Sequence, residues 1–432
     1  MTEKQLIWHP CSQMQDYELF KPLNINKASG SYLELTNGSK IIDAISSWWC
    51  KSLGHSHPRL KAALLEQVEK FEHVIFANTT YEKIIELSTM LGNLLPHLNK
   101  VFYAGDGSSA VEIAMKMSIH ARNISCEKHK TKFIALSNGY HGETAGALSV
   151  SDVGIFRDPY QAILFDTFFI TPNYVHSVTD NGWTDAAEHW QMIEPLLLQQ
   201  QQETTAIIVE PIMQGAAGMR MYSQDFLYRL AKFAKEHNIH LIADEIMTGV
   251  GRTGKMLACE HAAIQPDFLC LSKGLTSGWL AFSAVLTTDD IYQTFYDDHA
   301  SGKAFLHSHT YSGNALGACL AVATLQEIYD HKLINRADEL QKLMRNYFET
   351  IATTIGAITN IRGIGAIVAA DLVNHNNTPR LGYQVFQDAI KLGALLRPIG
   401  NTIYWLPPLN IAVETLQELY EITLQAVLRI PH

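Results

Sequence analysis

Two stretches, His240-Leu241-Ile242-Ala243-Asp244-Glu245 and Asp267-Phe268-Leu269-Cys270-Leu271-Ser272-Lys273-Gly274, share one pattern. Each is a short apolar run that ends in a charged residue. Each suits a strand buried on both faces and is too short for a buried helix. In an open α/β sheet, ligands bind at the carboxyl ends of the strands. The two runs therefore deliver a carboxylate, Asp244, and an amine, Lys273, to that edge.

Outward from these runs, the pattern repeats. Further strands are predicted at 101–103, 132–136, 206–210 and 282–287, with helices between them, for example at 109–122 and 224–237. Strands alternating with helices predict an α/β fold, a large domain built on a mostly parallel central sheet. Before it come a turn at Thr36-Asn37-Gly38 and helices at 58–71 and 81–95. After it, a long helix at 313–325 leaves the domain. The remainder reads as a smaller α+β domain with a helix at 336–355 and strands at 361–367, 394–396 and 402–405. The expected division is 1–55 as an N-terminal segment serving the small domain and active site, 56–320 as the large domain, and 321–432 as the small one. Internal repeats and low-complexity segments are absent.

Composition narrows the class. The chain has 432 residues, 47% apolar, and a net charge of -10 without a basic stripe, so nucleic-acid binding is not expected. Its six cysteines form no C-x-x-C pair, which speaks against a zinc ribbon and suits a reducing compartment. Met1–Trp8 has no signal-like apolar stretch, and no run is long enough to span a bilayer. The expectation is a cytoplasmic enzyme without metal or membrane partner.

Chemistry enters with Gly105-Asp106-Gly107-Ser108-Ser109, which joins a strand to a helix. Free N–H groups at such a helix start suit a phosphate. The alternative is an ordinary helix capped by Ser108 or Ser109. Asp244 suits the N–H of a pyridinium ring, and a desolvated Lys273 suits Schiff-base formation; together these are the demands of pyridoxal phosphate. Asp244 also resembles a Walker B acid, and Gly249–Lys255 spells a P-loop up to Met256. The missing Ser/Thr there, and the position after the acid, exclude that reading. Tyr140, in Asn138-Gly139-Tyr140-His141-Gly142, could stack on a flat ring or simply pack a turn. The pairs His55/His57 and His307/His309 read as turn histidines. Trp48 and Trp49, on an extended segment, would point to opposite sides, one of them toward a pocket.

In order and spacing these motifs resemble the class III, fold type I family of pyridoxal-phosphate-dependent aminotransferases, over nearly the whole chain. The strongest part is 241–273, with Asp244-Glu245, Thr248-Gly249, Gly251-Arg252-Thr253-Gly254 and Pro266-Asp267. Trp8-His9-Pro10, Ser46-Ser47-Trp48-Trp49, Gln214-Gly215, Gly218–Tyr222 and Arg397-Pro398 narrow the likeness to the branch acting in biotin synthesis. The resemblance implies roles. Lys273 would form the Schiff base and move a proton; Asp244 would hold the pyridine nitrogen and Ile246 one ring face. Gly107 and Ser108 would bind phosphate. His309 and Thr310 would serve the cofactor of a neighbouring subunit, so a homodimer is implied. Tyr140 would act on both cofactor and substrate. Trp48, Trp49, Ser308 and Cys11 would contact substrate, and Arg397 its carboxylate.

The implied reaction converts 8-amino-7-oxononanoate to 7,8-diaminononanoate with S-adenosylmethionine as donor. The alternatives are lysine as donor, or another amine substrate such as a diamine or γ-amino acid. A non-catalytic relative would be expected to lose Lys273 or Asp244. Ala216-Ala217 stand where many relatives carry a glutamate that masks a substrate-binding arginine. Three positions depart from the family pattern: Cys11 replaces a tyrosine, Glu143 an aspartate, and Ser308-His309 a Gly-Pro.

Overall fold

The computed structural model describes residues 6–430. Most of the Met1–Trp8 stretch read for a signal therefore lies outside the described residues. Seven strands form the central sheet: β1 (Lys100–Ala104), β2 (Lys132–Leu136), β3 (Thr167–Ile170), β4 (Thr204–Val209), β5 (His240–Asp244), β6 (Phe268–Leu271) and β7 (Ser283–Thr287). Their spatial order is β1-β7-β6-β5-β4-β2-β3. β4 and β6 are buried along their whole length, because helices cover both faces. The sheet is parallel except at β7, which runs antiparallel to β6 and β1.

Register explains the convergence of charged residues. Asp244 is paired with Cys270, and Val209 with Ala243. The residues just beyond β4, β5 and β6 therefore leave the sheet side by side. β7 enters from the same edge, its Ser283 paired with Ala104. This puts the start of the helix Gly107–Ile124 at that edge too.

A four-stranded sheet joins Ile25–Ser29, Tyr32–Leu35 and Lys40–Asp43 to Ala394–Leu395, which pairs in parallel with Lys40–Asp43. Three strands, Ile358–Arg362, Val368–Leu372 and Thr402–Trp405, make another sheet. The strand expected at 361–367 is thereby corrected: Ile361 and Arg362 end the first of these strands, and 363–367 is the hairpin connection. Gly363 (φ 158°) and Gly365 (φ 58°) turn the chain, and a Cβ at Gly365 would overlap the backbone of Thr253. The run is apolar because the turn is buried, with Ile364 and Ile367 at most 2% exposed. The edge strand β3 carries no sequence expectation. The central helix starts at Gly107, and its cap is Asp106, which accepts from Ser109 N at 2.9 Å; the cap is neither Ser108 nor Ser109. Among the described residues no helix is long and apolar enough to cross a membrane.

Candidate active site

A cavity of about 170 Å³ opens at the carboxyl edge of the central sheet. Asp244 ends β5 and reaches it; Lys273, two residues past β6, reaches it from the next strand. Gly107 and Ser108 form its floor on one side, beside Ile246. A Cβ at Gly107 would meet Ile246 Cδ1 at 2.9 Å, so this approach needs glycine. The N–H groups of Gly107 and Ser108 precede the first helical hydrogen bond, Ala110 N to Asp106 O at 3.1 Å, and are open to an anion.

Asp244 is only 4% exposed. One oxygen accepts from Ile246 N at 3.1 Å and the other from His141 Nδ1 at 2.8 Å. Nδ1 therefore carries the proton, since an ionised carboxylate can only accept. His141 is itself buried at 2%. Sequence reasoning placed the Asn138–Gly142 turn at the site but missed this histidine as the partner of Asp244. It also missed Glu210, directly after β4. Glu210 accepts from Tyr140 N at 2.8 Å and Gly215 N at 3.0 Å, and burial pushes its carboxyl up to about 7. A signal for Glu210 existed: an acid that ends the apolar run Ala206–Val209, as Asp244 ends its own.

Lys273 sits at φ 40°, a left-handed conformation that side-chain-bearing residues adopt at a cost. Burial pulls its amine below the usual lysine range, with Asp244 and Glu210 acting in the opposite direction. Its Nζ lies 4.9 Å from the ring centre of Trp49. Trp49 is held by its indole N–H, which donates to the Tyr404 hydroxyl at 2.9 Å. The segment Ser46–Trp49 is a tight turn with positive φ at Ser46, Ser47 and Trp49, and not the extended segment expected. The two indoles still diverge. Trp49 is buried against the cavity, while Trp48 is 43% exposed and carries the Arg397 guanidinium 4.0 Å above its ring.

Arg397 also donates to the Cys11 carbonyl at 3.4 Å. Tyr140 lines the cavity, and its hydroxyl donates to Glu143 Oε1 at 3.1 Å; burial pushes the phenol upward. Ser308, His309 and Thr310 are not among the residues lining this cavity. Ser308 and Thr310 are exposed, and His309 Nε2 lies 3.3 Å from His307 Nε2. The P-loop-like stretch is a buried turn in which Arg252 donates to Pro407 O at 2.6 Å.

An amine with a lowered pKa, a buried carboxylate backed by histidine and a helix start open to anions fit pyridoxal phosphate. The Aminotransferase class-III family model matches residues 13–427. The chain belongs to that family and is an α/β aminotransferase whose cofactor is pyridoxal phosphate. It is similar to the adenosylmethionine-8-amino-7-oxononanoate aminotransferase of Helicobacter pylori, at 39% identity over 96% of this chain and 94% of that one. The solved structure of the enzyme of that name from Methanocaldococcus jannaschii superposes with a TM-score of 0.92, at 34% identity over 99% of this chain and 98% of the other. An amine transaminase from an uncultivated Pseudomonas species, solved with pyridoxal phosphate bound, gives a TM-score of 0.91 at 27% identity, covering 99% of both chains.

Proposed function

We propose that this aminotransferase converts 8-amino-7-oxononanoate to 7,8-diaminononanoate, the step of biotin synthesis its relatives are named for, with S-adenosylmethionine as amino donor. The observation that carries the acceptor is Arg397. Its guanidinium lies 4.0 Å over the Trp48 ring, near the Tyr404 that holds Trp49, and forms no ion pair with a carboxylate among the described residues. Ala216 and Ala217 offer it no masking acid. An unpaired guanidinium on an aromatic platform suits the carboxylate at the far end of a long acceptor chain.

Bound at this site, pyridoxal phosphate supplies an electron sink and a carbon that carries the amino group between donor and acceptor. Gly107 and Ser108 would hold its phosphate with backbone N–H groups. Asp244, kept in place by His141, would hold a protonated ring nitrogen through a charge-assisted bond. Ile246 would support one ring face, and Tyr140 would close the side facing substrate. Lys273 would take a proton at Nζ and return it; burial keeps that amine uncharged often enough to act, while Asp244 and Glu210 keep it basic enough to accept. Trp49 shields this exchange from water.

The same reading makes the enzyme a homodimer in which Ser308, His309 and Thr310 serve the partner's site; the exposure of Ser308 and Thr310 outside their own cavity supports it. Action in the cytosol is supported by six cysteines that are all free. The pairing of Lys40–Asp43 with Ala394–Leu395 supports counting 1–55 with the small domain at 321–432, apart from the large domain at 56–320.

Single-turnover spectroscopy tests the reaction. The purified protein should show a visible cofactor band that borohydride fixes onto Lys273. After amine transfer from S-adenosylmethionine, 8-amino-7-oxononanoate should restore that band. Failure of this ketone to restore it, with another keto compound succeeding, would transfer the chain to a different acceptor. Lysine and diamines, run in parallel, decide the donor.

A further inference from the structure

Glu210 is the buried acid of the site to which the reaction above assigns no task. It is 5% exposed and stands directly after β4. Its two oxygens hold two different segments: Oε2 accepts from Tyr140 N at 2.8 Å and Oε1 from Gly215 N at 3.0 Å. Its own carbonyl accepts from the buried Tyr222 hydroxyl at 2.8 Å. The chain returns from Glu210 to Gly215 through Ile212, which is fully buried at φ 70°. A β-branched residue in the left-handed region is a marked outlier and persists only where its surroundings enforce it. Here the turn, closed by Met213 N donating to Pro211 O at 2.8 Å, brings Gly215 back onto the carboxylate.

The electrostatic setting is equally specific. His141, Asp244 and Lys273 lie within reach of Glu210, and Tyr174 and Tyr222 pack near it. The residue after Tyr140, whose N–H Glu210 holds, is His141, the partner of Asp244.

We propose that Glu210 is a positioning residue of the active site: its carboxylate fixes the Tyr140–His141 backbone, and with it the aim of the Tyr140 ring and of the His141–Asp244 pair, while its charge favours the proton on the Lys273 nitrogen. The proposal rests on the reading of Lys273 and Asp244 as the cofactor-holding pair.

Two variants of the holoenzyme, Glu210→Gln and Glu210→Asp, test it through the pH titration of the visible cofactor band, the dissociation of pyridoxal phosphate, and kcat and KM. Glu210→Gln should move the titration midpoint down by about one pH unit, since a nearby negative charge is lost. It should also weaken cofactor binding about tenfold, because its amide turns a donor toward one backbone N–H. Its kcat should fall more than its KM changes. Glu210→Asp should keep the midpoint but lose cofactor affinity and kcat, being too short to reach both N–H groups. A wild-type midpoint and affinity in Glu210→Gln overturns the proposal. If that variant does not fold, wild-type affinity and kcat in Glu210→Asp overturn it instead. Absence of a borohydride-fixed band on Lys273 in the unmodified enzyme would overturn the cofactor reading itself, separately from Glu210.

Discussion

Lys273 and Trp49 both sit at positive φ and face each other across the cavity wall. Two strained residues in contact at a buried amine indicate that the fold enforces this arrangement. Burial lowers the affinity of Lys273 for its proton, so the acid limb of kcat, which reports the substrate-bound enzyme with the Lys273 amine free, should lie below the ordinary lysine value of 10.5. Trp49→Ala would admit water beside the amine and return its pKa toward that value. The acid limb should then move to higher pH, which a pH–rate profile measures directly. Arg397 argues a different way, through binding alone. Arg397→Ala should raise KM for a carboxylate-bearing acceptor about 10–100-fold, the loss of a charge-assisted bond of about 1.5–3 kcal/mol, with kcat changing less. Of the individual residues, Lys273 and Asp244 were legible because each ends an apolar run. His141 was not, because nothing local in Gly139-Tyr140-His141-Gly142 says which neighbour its ring will meet.

The helix Gly107–Ile124 and the turn Asn138–Gly142 act as a unit at the next scale. Gly142 lies at φ 126°, and a Cβ there would overlap Ser108 Oγ. Gly142→Ala should push the helix start away from the cavity. Its expected signature is weaker binding of pyridoxal phosphate, read by equilibrium dialysis, with little change in affinity for an unphosphorylated pyridoxal control. The strand-turn-helix was readable in sequence from an apolar run followed by Gly-Asp-Gly-Ser-Ser. Its cap was not: Asp106 and the two serines are all good caps, and only the backbone conformation at Asp106 (φ -153°) decides. The hairpin at Ile358–Leu372 hid for a related reason. A turn buried in contact with Thr253 needs apolar residues, and such a run looks like a strand.

Across the whole molecule, Arg362 ties the small C-terminal sheet to the loop that ends at the site. It pairs with Asp371 at 2.8 Å and donates to Gly218 O at 2.7 Å and Met219 O at 3.2 Å. Arg362→Leu leaves those carbonyls without donors and should destabilise the fold by about 2 kcal/mol, seen as a lower Tm. The same change should loosen Gly215–Met219 and reduce activity at temperatures well below Tm. By itself the sequence determined the α/β class, the strand ends that bear Asp244 and Lys273, and the family, because these are local features: short apolar runs, their terminal charges and the spacing of glycines. Only the tertiary structure decided that His141 backs Asp244, that Glu210 bridges Tyr140 and Gly215, and that Trp49 is buried beside Lys273 while Trp48 is exposed beneath Arg397. Those pairings depend on strand register and on strained turns such as Ser46–Trp49 and Ile212, which bring together residues far apart in the chain and leave no periodic trace along it.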